Sequence, residues 1–274
     1  MIPHLPLLDG RQIPQLGFGT WQIPDADAAA TIHHALAAGY RSIDTAMIYE
    51  NERGVGEGIR SGPIPREELF ITTKVWNADQ GCDATLLAIQ ASLERLDLPF
   101  VDLYLIHWPM PEWDRYVETW HALIQARAQG LTRSIGVSNF TAAHILRLRE
   151  ETGVLPVVNQ IELHPRLPQR SLRAFHAEHG ILTESWSPLA QGGDLLQHAA
   201  ITGIAQRHQK TPAQVILRWH VQNGLVVIPK SVKADRIREN FALFDFALAP
   251  EEMAAIDALE TNGRIGPDPD HFAE

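Results

Sequence analysis

The stretch GYRSIDTAMIYENERGVG, residues 39 to 56, contains a short apolar strand that ends in a carboxylate, Asp44, and is followed five residues later by a phenol, Tyr49. Two further apolar runs end in the same manner: LFITTK closes on Lys74 and VDLYLIH on His107. Polar residues at the C-terminal ends of short buried strands mark the face on which a parallel β/α barrel keeps its chemistry.

The four side chains suit one task, protonation of a carbonyl oxygen while hydride reaches its carbon. A tyrosine with a reference pKa of about 10 is protonated at neutral pH, and a nearby ammonium lowers the cost of the phenolate that proton transfer leaves behind. Lys74 supplies that charge; at ~4 Å and an effective dielectric near 20 the attraction is on the order of 4 kcal/mol before desolvation. Asp44 would keep Lys74 charged and aimed. His107, if neutral, would donate a ring N–H to the substrate oxygen. Each residue also has an ordinary reading: a solvated lysine, a packed loop histidine, a turn-starting aspartate, a half-buried ring. Independent surface roles do not predict an acid, a phenol, an amine and an imidazole at successive strand ends.

Outward from these residues, strands and helices alternate without a break. The opening LPLLDGRQIPQL turns at Asp9-Gly10 and reads as a hairpin. Eight strands are expected near 16–19, 42–44, 69–73, 101–106, 134–137, 157–161, 181–185 and 226–228. Amphipathic helices are expected over 82–95, with Leu86, Ile89 and Leu93 on one face, and over 141–150, with Ile145 and Leu148. Two more, near 195–208 and 212–222, fill the gap before the eighth strand. Repeated βα units require a parallel sheet and eight of them suggest closure, so the predicted fold is an α/β (β/α)8 TIM barrel. A chain of 274 residues with 45% apolar content suits one such domain over 1–274.

Several function classes fall away. A net charge of −10 opposes a nucleic-acid or anionic membrane partner. No signal-peptide pattern or 18-residue apolar run is present, so a cytoplasmic protein is expected. The one cysteine, Cys82, permits no internal disulfide and reads as a helix-start residue. No metal site is expected: of 13 histidines only His176 and His179 share a helical face, and they read as surface residues. No Gly-x-Ser-x-Gly elbow occurs. Glycines 54, 56 and 58 lack the Rossmann spacing and read as packing glycines. Against the acidic background Lys230, Lys233, Arg236 and Arg238 cluster after the last strand, where barrels often bind phosphate.

The chain resembles the aldo-keto reductases across nearly its whole length. Residues 39 to 56 are similar to the family's first signature, RSIGVSNF at 133 to 140 to its second, and IPKSVKADRIREN at 228 to 240 to its third. The run LRAFHAEHGILTESWSPLAQGG at 172 to 193 and the compact C-terminus are most like the bacterial 2,5-diketo-D-gluconate reductases. The resemblance implies a hairpin plugging the barrel floor and NADPH-dependent reduction of small aldehydes and ketones, keto sugar acids and dicarbonyls included. Tyr49 would be the general acid, with Asp44, Lys74 and His107 in the roles above. NADPH or NADP+ would meet Ser138, Asn139 and Gln160 at its carboxamide and Trp186 at the nicotinamide ring, with Ser187 and Val232 also in contact. Lys230, Ser231 and Arg236 would take the adenosine 2′-phosphate, and Glu239 and Asn240 would lie near the adenine. Trp21, Trp76 and Trp108 would line an aromatic substrate mouth, left open and permissive by the short segments PMPEW and PLAQGGD. A monomer acting on a small carbonyl compound is expected. The alternative is a non-catalytic NADP(H)-sensing module of the same fold, which the intact tetrad disfavours, since a sensor could lose Tyr49 or Lys74 without harm.

Overall fold

A computed structural model of the chain describes residues 2–272. It opens with an antiparallel hairpin, β1 (His4–Pro6) and β2 (Gln12–Pro14), paired with Leu5 opposite Ile13. The turn passes through Gly10 at φ +84°, a conformation that favours glycine. Eight parallel strands follow: β3 (Phe18–Gly19), β4 (Ser42–Asp44), β5 (Phe70–Val75), β6 (Val101–Ile106), β7 (Thr132–Ser138), β8 (Val158–Glu162), β9 (Leu182–Trp186) and β10 (Val226–Val227). They hydrogen-bond in chain order, and the two ends meet. Leu16 bridges Val227 in parallel, the Gly17 N–H donates to Val227 O at 2.9 Å and the Val227 N–H to Gln15 O at 3.0 Å. The sheet is therefore a closed barrel, and its strands fall on the eight expected runs.

Strand alternation divides the apolar residues between two cores. Ile43, Ile71, Tyr104, Ile106, Ile135 and Val137 face the helices. Phe70, Leu103, Leu105, Val158 and Val226 form a second cluster inside the floor of the barrel, with Leu7 and Ile13 of the hairpin packed into it. Burial of these two hairpin side chains contributes roughly 2 kcal/mol each, and the Ser134 hydroxyl of β7 donates to Asp9 at 2.7 Å, tying the turn to the barrel. The hairpin is the expected plug.

The helical ring comprises α1 (Asp25–Ala38), α2 (Glu52–Arg60), α3 (Cys82–Leu96), α4 (Tyr116–Ala128), α5 (Ala142–Thr152), α6 (Arg170–Glu178), α7 (Ala199–His208), α8 (Pro212–Gln222), α9 (Ala234–Phe241) and α10 (Pro250–Asp257). α1 buries Ala28, Ile32, Ala35 and Leu36 at helical spacing, and α9 packs against it to complete the ring. In α3, Ile89 and Leu93 are buried as expected while Leu86 is only half-buried, and Cys82 is its exposed first residue. Glycines let α2 pack closely between its neighbours: a Cβ on Gly54 would stand 2.1 Å from Asp25 O, and one on Gly56 would stand 2.1 Å from Leu96 O. They are packing glycines.

One sequence reading is corrected. His176 is not a surface residue but fully buried on the inner face of α6. Its Nε2 accepts from Asn159 at 3.0 Å, its Nδ1 lies 2.8 Å from the Thr183 hydroxyl, and burial pulls its pKa down to about 4. Polar residues of β8 and β9 on the helix-facing side of the sheet supply the partners that an isolated helix pattern does not reveal. Among the described residues no helix is long and apolar enough to cross a membrane.

Candidate active site

Inside the barrel, the polar residues of β4, β5, β8 and β9 lie toward the C-terminal strand ends, above the apolar floor. Lys74 Nζ is fully buried and donates to Asp44 Oδ1 at 2.6 Å and to Thr45 O at 2.9 Å. It also hydrogen-bonds the Tyr49 hydroxyl and lies 5.1 Å from the centre of that ring. Tyr49 ends a short 3-10 turn, Met47–Tyr49, closed by Glu50 at φ +56°. Asn51 fixes this turn to the barrel: its Oδ1 accepts from Thr45 and its Nδ2 donates to Thr20 O and Ile23 O.

The electrostatics follow from burial and neighbours. Burial would lower the Lys74 pKa, yet the Asp44 carboxylate, Tyr49 and Glu184 together hold it above the ordinary value. Burial pushes the Tyr49 phenol up, Lys74 pulls it down, and the balance lies above the usual tyrosine range. The ammonium thus moderates a desolvated phenol and does not overcome its burial. His107, packed edge-on against Tyr49 at 5.8 Å and Trp76 at 5.0 Å, is held well below the usual histidine range by burial and by Lys74. It is a neutral imidazole whose buried Nδ1 has no partner among the described residues.

Ser138, Asn139, Gln160 and Trp186 join this group through a continuous network. Asn139 adopts φ +64°, a left-handed conformation that asparagine tolerates. Its amide donates to His107 O at 3.0 Å and Ser138 Oγ at 3.1 Å, while its carbonyl accepts from the Trp186 indole at 2.8 Å. The Gln160 amide donates to Asp44 Oδ2 at 2.8 Å and to Glu184 Oε2 at 2.9 Å. Glu184 was not singled out from sequence, although a lone carboxylate between Leu182 and Trp186 in a buried strand was a visible signal. Ser187, at φ +47°, starts the turn after β9 and accepts from the Ala190 N–H.

The second group lies after β10 and along α9. Arg236 is exposed, Lys230 and Ser231 are half-exposed and Val232 is exposed. Arg238 is paired with Asp235, whereas among the described residues no carboxylate reaches Lys230, Lys233 or Arg236 within ion-pair distance. Lys230 instead lies 3.4 Å from Gln22 O. Glu239 accepts from the Thr211 hydroxyl at 2.7 Å, and Asn240 is buried beside it on α9.

The three mouth tryptophans differ. Trp21 is 43% exposed, Trp76 is half-buried against His107, and Trp108 is buried beneath Phe272 at a ring separation of 4.6 Å. The C-terminal segment, rather than the short loops, sets this enclosure. Both oxygens of buried Glu162 accept its main-chain N–H groups, Ile265 at 2.6 Å and Gly266 at 2.8 Å. Gly266 crosses Trp186 so closely that a Cβ would stand 2.5 Å from the indole. Asp270 then lies 3.6 Å from His144. An open mouth does not describe the Trp108 side. The sequence reading missed this strap because no local pattern marks main-chain donors.

Comparison with known proteins points the same way. The pattern of the Aldo/keto reductase family matches residues 15–261. The chain is 54% identical to an aldo-keto reductase of Mycolicibacterium smegmatis, and also 54% identical to the methylglyoxal reductase DkgA of Yersinia pestis, in each case covering 99% of this chain and 98% of the relative. Among solved structures, a mutant of Gox0644 in complex with NADPH has a TM-score of 0.96 at 48% identity, with all of both chains covered. A closed (β/α)8 barrel with its floor plugged, a buried lysine joined to an aspartate and a tyrosine at its upper end, and a match over most of its length are one and the same finding: the chain belongs to the aldo/keto reductase family.

Proposed function

We propose that the protein is an NADPH-dependent reductase of small carbonyl compounds, with activated dicarbonyls and keto sugar acids as its substrate class and Tyr49 as the general acid. The observation that carries the reading is the buried Lys74, bonded at once to Asp44 and Tyr49, with neutral His107 beside the phenol. The residues present fit the cofactor. Trp186, held by Asn139, is half-buried; Ser138, Asn139 and Gln160 are linked to it with amide and hydroxyl groups suited to a carboxamide; and Arg236 and Lys230 have no carboxylate partner among the described residues, which suits them to a phosphate. The cofactor, when bound, supplies the hydride. His107 orients the substrate oxygen with a ring N–H, Tyr49 delivers its proton to that oxygen, and Lys74, held charged by Asp44, stabilises the phenolate left behind.

Relatives named as methylglyoxal reductases support the dicarbonyl class, and the aromatic residues Trp21, Trp76 and Trp108, with Phe272, supply an apolar surround. The test is turnover of NADPH with methylglyoxal, 2,5-diketo-D-gluconate and simple ketones, followed by loss of reduced-nicotinamide absorbance. Vicinal dicarbonyls and keto sugars are expected to lead in kcat/KM. NADP(H) binding with no turnover of any carbonyl would instead identify a nucleotide-sensing module.

A further inference from the structure

The steps above leave the carboxyl of Glu184 without a part, yet it lies in the same layer of the barrel. Gln160 and Glu184 are cross-strand partners in β8 and β9. The Gln160 amide spans the gap between Glu184 Oε2 and Asp44 Oδ2, and the other oxygen of Asp44 takes Lys74. One hydrogen-bonded chain therefore runs from Glu184 through Gln160, Asp44 and Lys74 to Tyr49. Glu184 is 1% exposed. Packing alone would place an apolar residue there, because a buried carboxyl is costly unless paired.

The charges do not cancel. Asp44 balances Lys74, so a second carboxylate in the cluster is an unmatched negative charge. The groups that face it are Asp44 from β4, Tyr49 from the following turn, Lys74 from β5 and Gln160 from β8. Burial and then Asp44 push the Glu184 carboxyl up to about 8, while Gln160 and Lys74 pull it down. When ionised, it raises the proton affinity of both Tyr49 and Lys74.

We propose that Glu184 is a positioning residue of the reductive site: through Gln160 it fixes Asp44 behind Lys74, and its charge sets how tightly Tyr49 holds the proton it delivers. This rests on the reductase reading. As pH rises and Glu184 ionises, the phenol holds its proton more firmly, so reduction extends to more alkaline solution than a neutral residue at this position would allow.

Two variants separate the roles. Glu184→Gln keeps a carbonyl for the Gln160 amide and removes the charge; Glu184→Leu removes both. With methylglyoxal and NADPH, the basic limb of the kcat profile in Glu184→Gln should move down by about half a pH unit or more, with NADPH affinity within about twofold of the parent. Glu184→Leu should show the same displacement and an added loss in kcat of about tenfold, the scale of one hydrogen bond. An unmoved limb in Glu184→Gln, or equal kcat losses in both variants on an unchanged profile, would make Glu184 a packing residue and overturn the proposal. Carboxyl 13C resonances of the parent protein give a readout that needs neither turnover nor a variant of Glu184. One glutamate should titrate near the slightly alkaline value above, and Asp44→Asn should lower its midpoint. Normal turnover with no such glutamate defeats the proposal alone; such a glutamate without turnover defeats the reductase reading instead.

Discussion

At Tyr49 two opposed influences act on a single proton: burial, which retains it, and the Lys74 ammonium, which eases its departure. A general acid for reduction needs both, since the phenol must stay protonated until the oxygen it serves becomes basic. Tyr49→Phe keeps the ring against His107 and deletes the proton, so kcat should fall by about 10² or more while NADPH affinity survives; near-parental turnover would remove Tyr49 from the chemistry. Arg236→Gln should weaken NADPH by on the order of 2 kcal/mol and leave NADH almost unchanged, as expected for a charge-assisted phosphate contact. Equal losses for both nucleotides would place the phosphate elsewhere. Asp44, Tyr49, Lys74 and His107 were legible in the sequence because each ends or follows an apolar run, where a polar side chain stands out. Glu162 and Glu184 were not assigned a part: a carboxylate within a buried strand stands out, but what it does depends on distant partners, the returning C-terminal segment for Glu162 and Gln160 of the adjacent strand for Glu184.

Among the elements, α2 shows how strongly packing can override intrinsic preference. Alanine ordinarily improves a helix over glycine by about 1 kcal/mol, yet at Gly56 the added carbon would stand 2.1 Å from the main-chain oxygen of Leu96. Gly56→Ala should therefore destabilise the protein by roughly 1–3 kcal/mol, the usual cost of overpacking, visible as a lower urea midpoint with NADPH affinity little changed. An increase in stability would show that α2 and α3 separate readily. The strands were readable from short apolar runs, and α3 and α5 from their apolar stripes. What the stripes could not give was the environment of α6, where His176 occupies an inward position because Asn159 and Thr183 on β8 and β9 satisfy its ring nitrogens.

For the molecule as a whole, His176 and a second buried imidazole, His220 on α8, whose ring nitrogens lie 3.1 Å from Ser185 Oγ and from Pro188 O, predict how the fold responds to acid. Burial lowers His176 to about 4 and His220 to about 3. Each takes its proton more readily in the unfolded chain, where the pKa is about 6.5, so the unfolded state binds more protons as pH falls. Their contribution is intact above about pH 6.5, declines as pH falls through the interval below it, and for His176 is fully lost below about 4, a change on the order of 3 kcal/mol. Urea unfolding at a series of pH values measures it, and His176→Gln should flatten the dependence; an identical slope in the variant would assign the acid sensitivity to other groups. The barrel also gives the molecule two unlike ends. The hairpin seals one, and the strap held by Glu162 reaches Trp186 and Trp108 at the other. For anyone anchoring this protein to a bead or an electrode, the attachment point is therefore not neutral: a tether joined at the hairpin leaves the opposite end of the barrel facing the solution, whereas one joined at Phe272 pulls directly on the ring packed over Trp108.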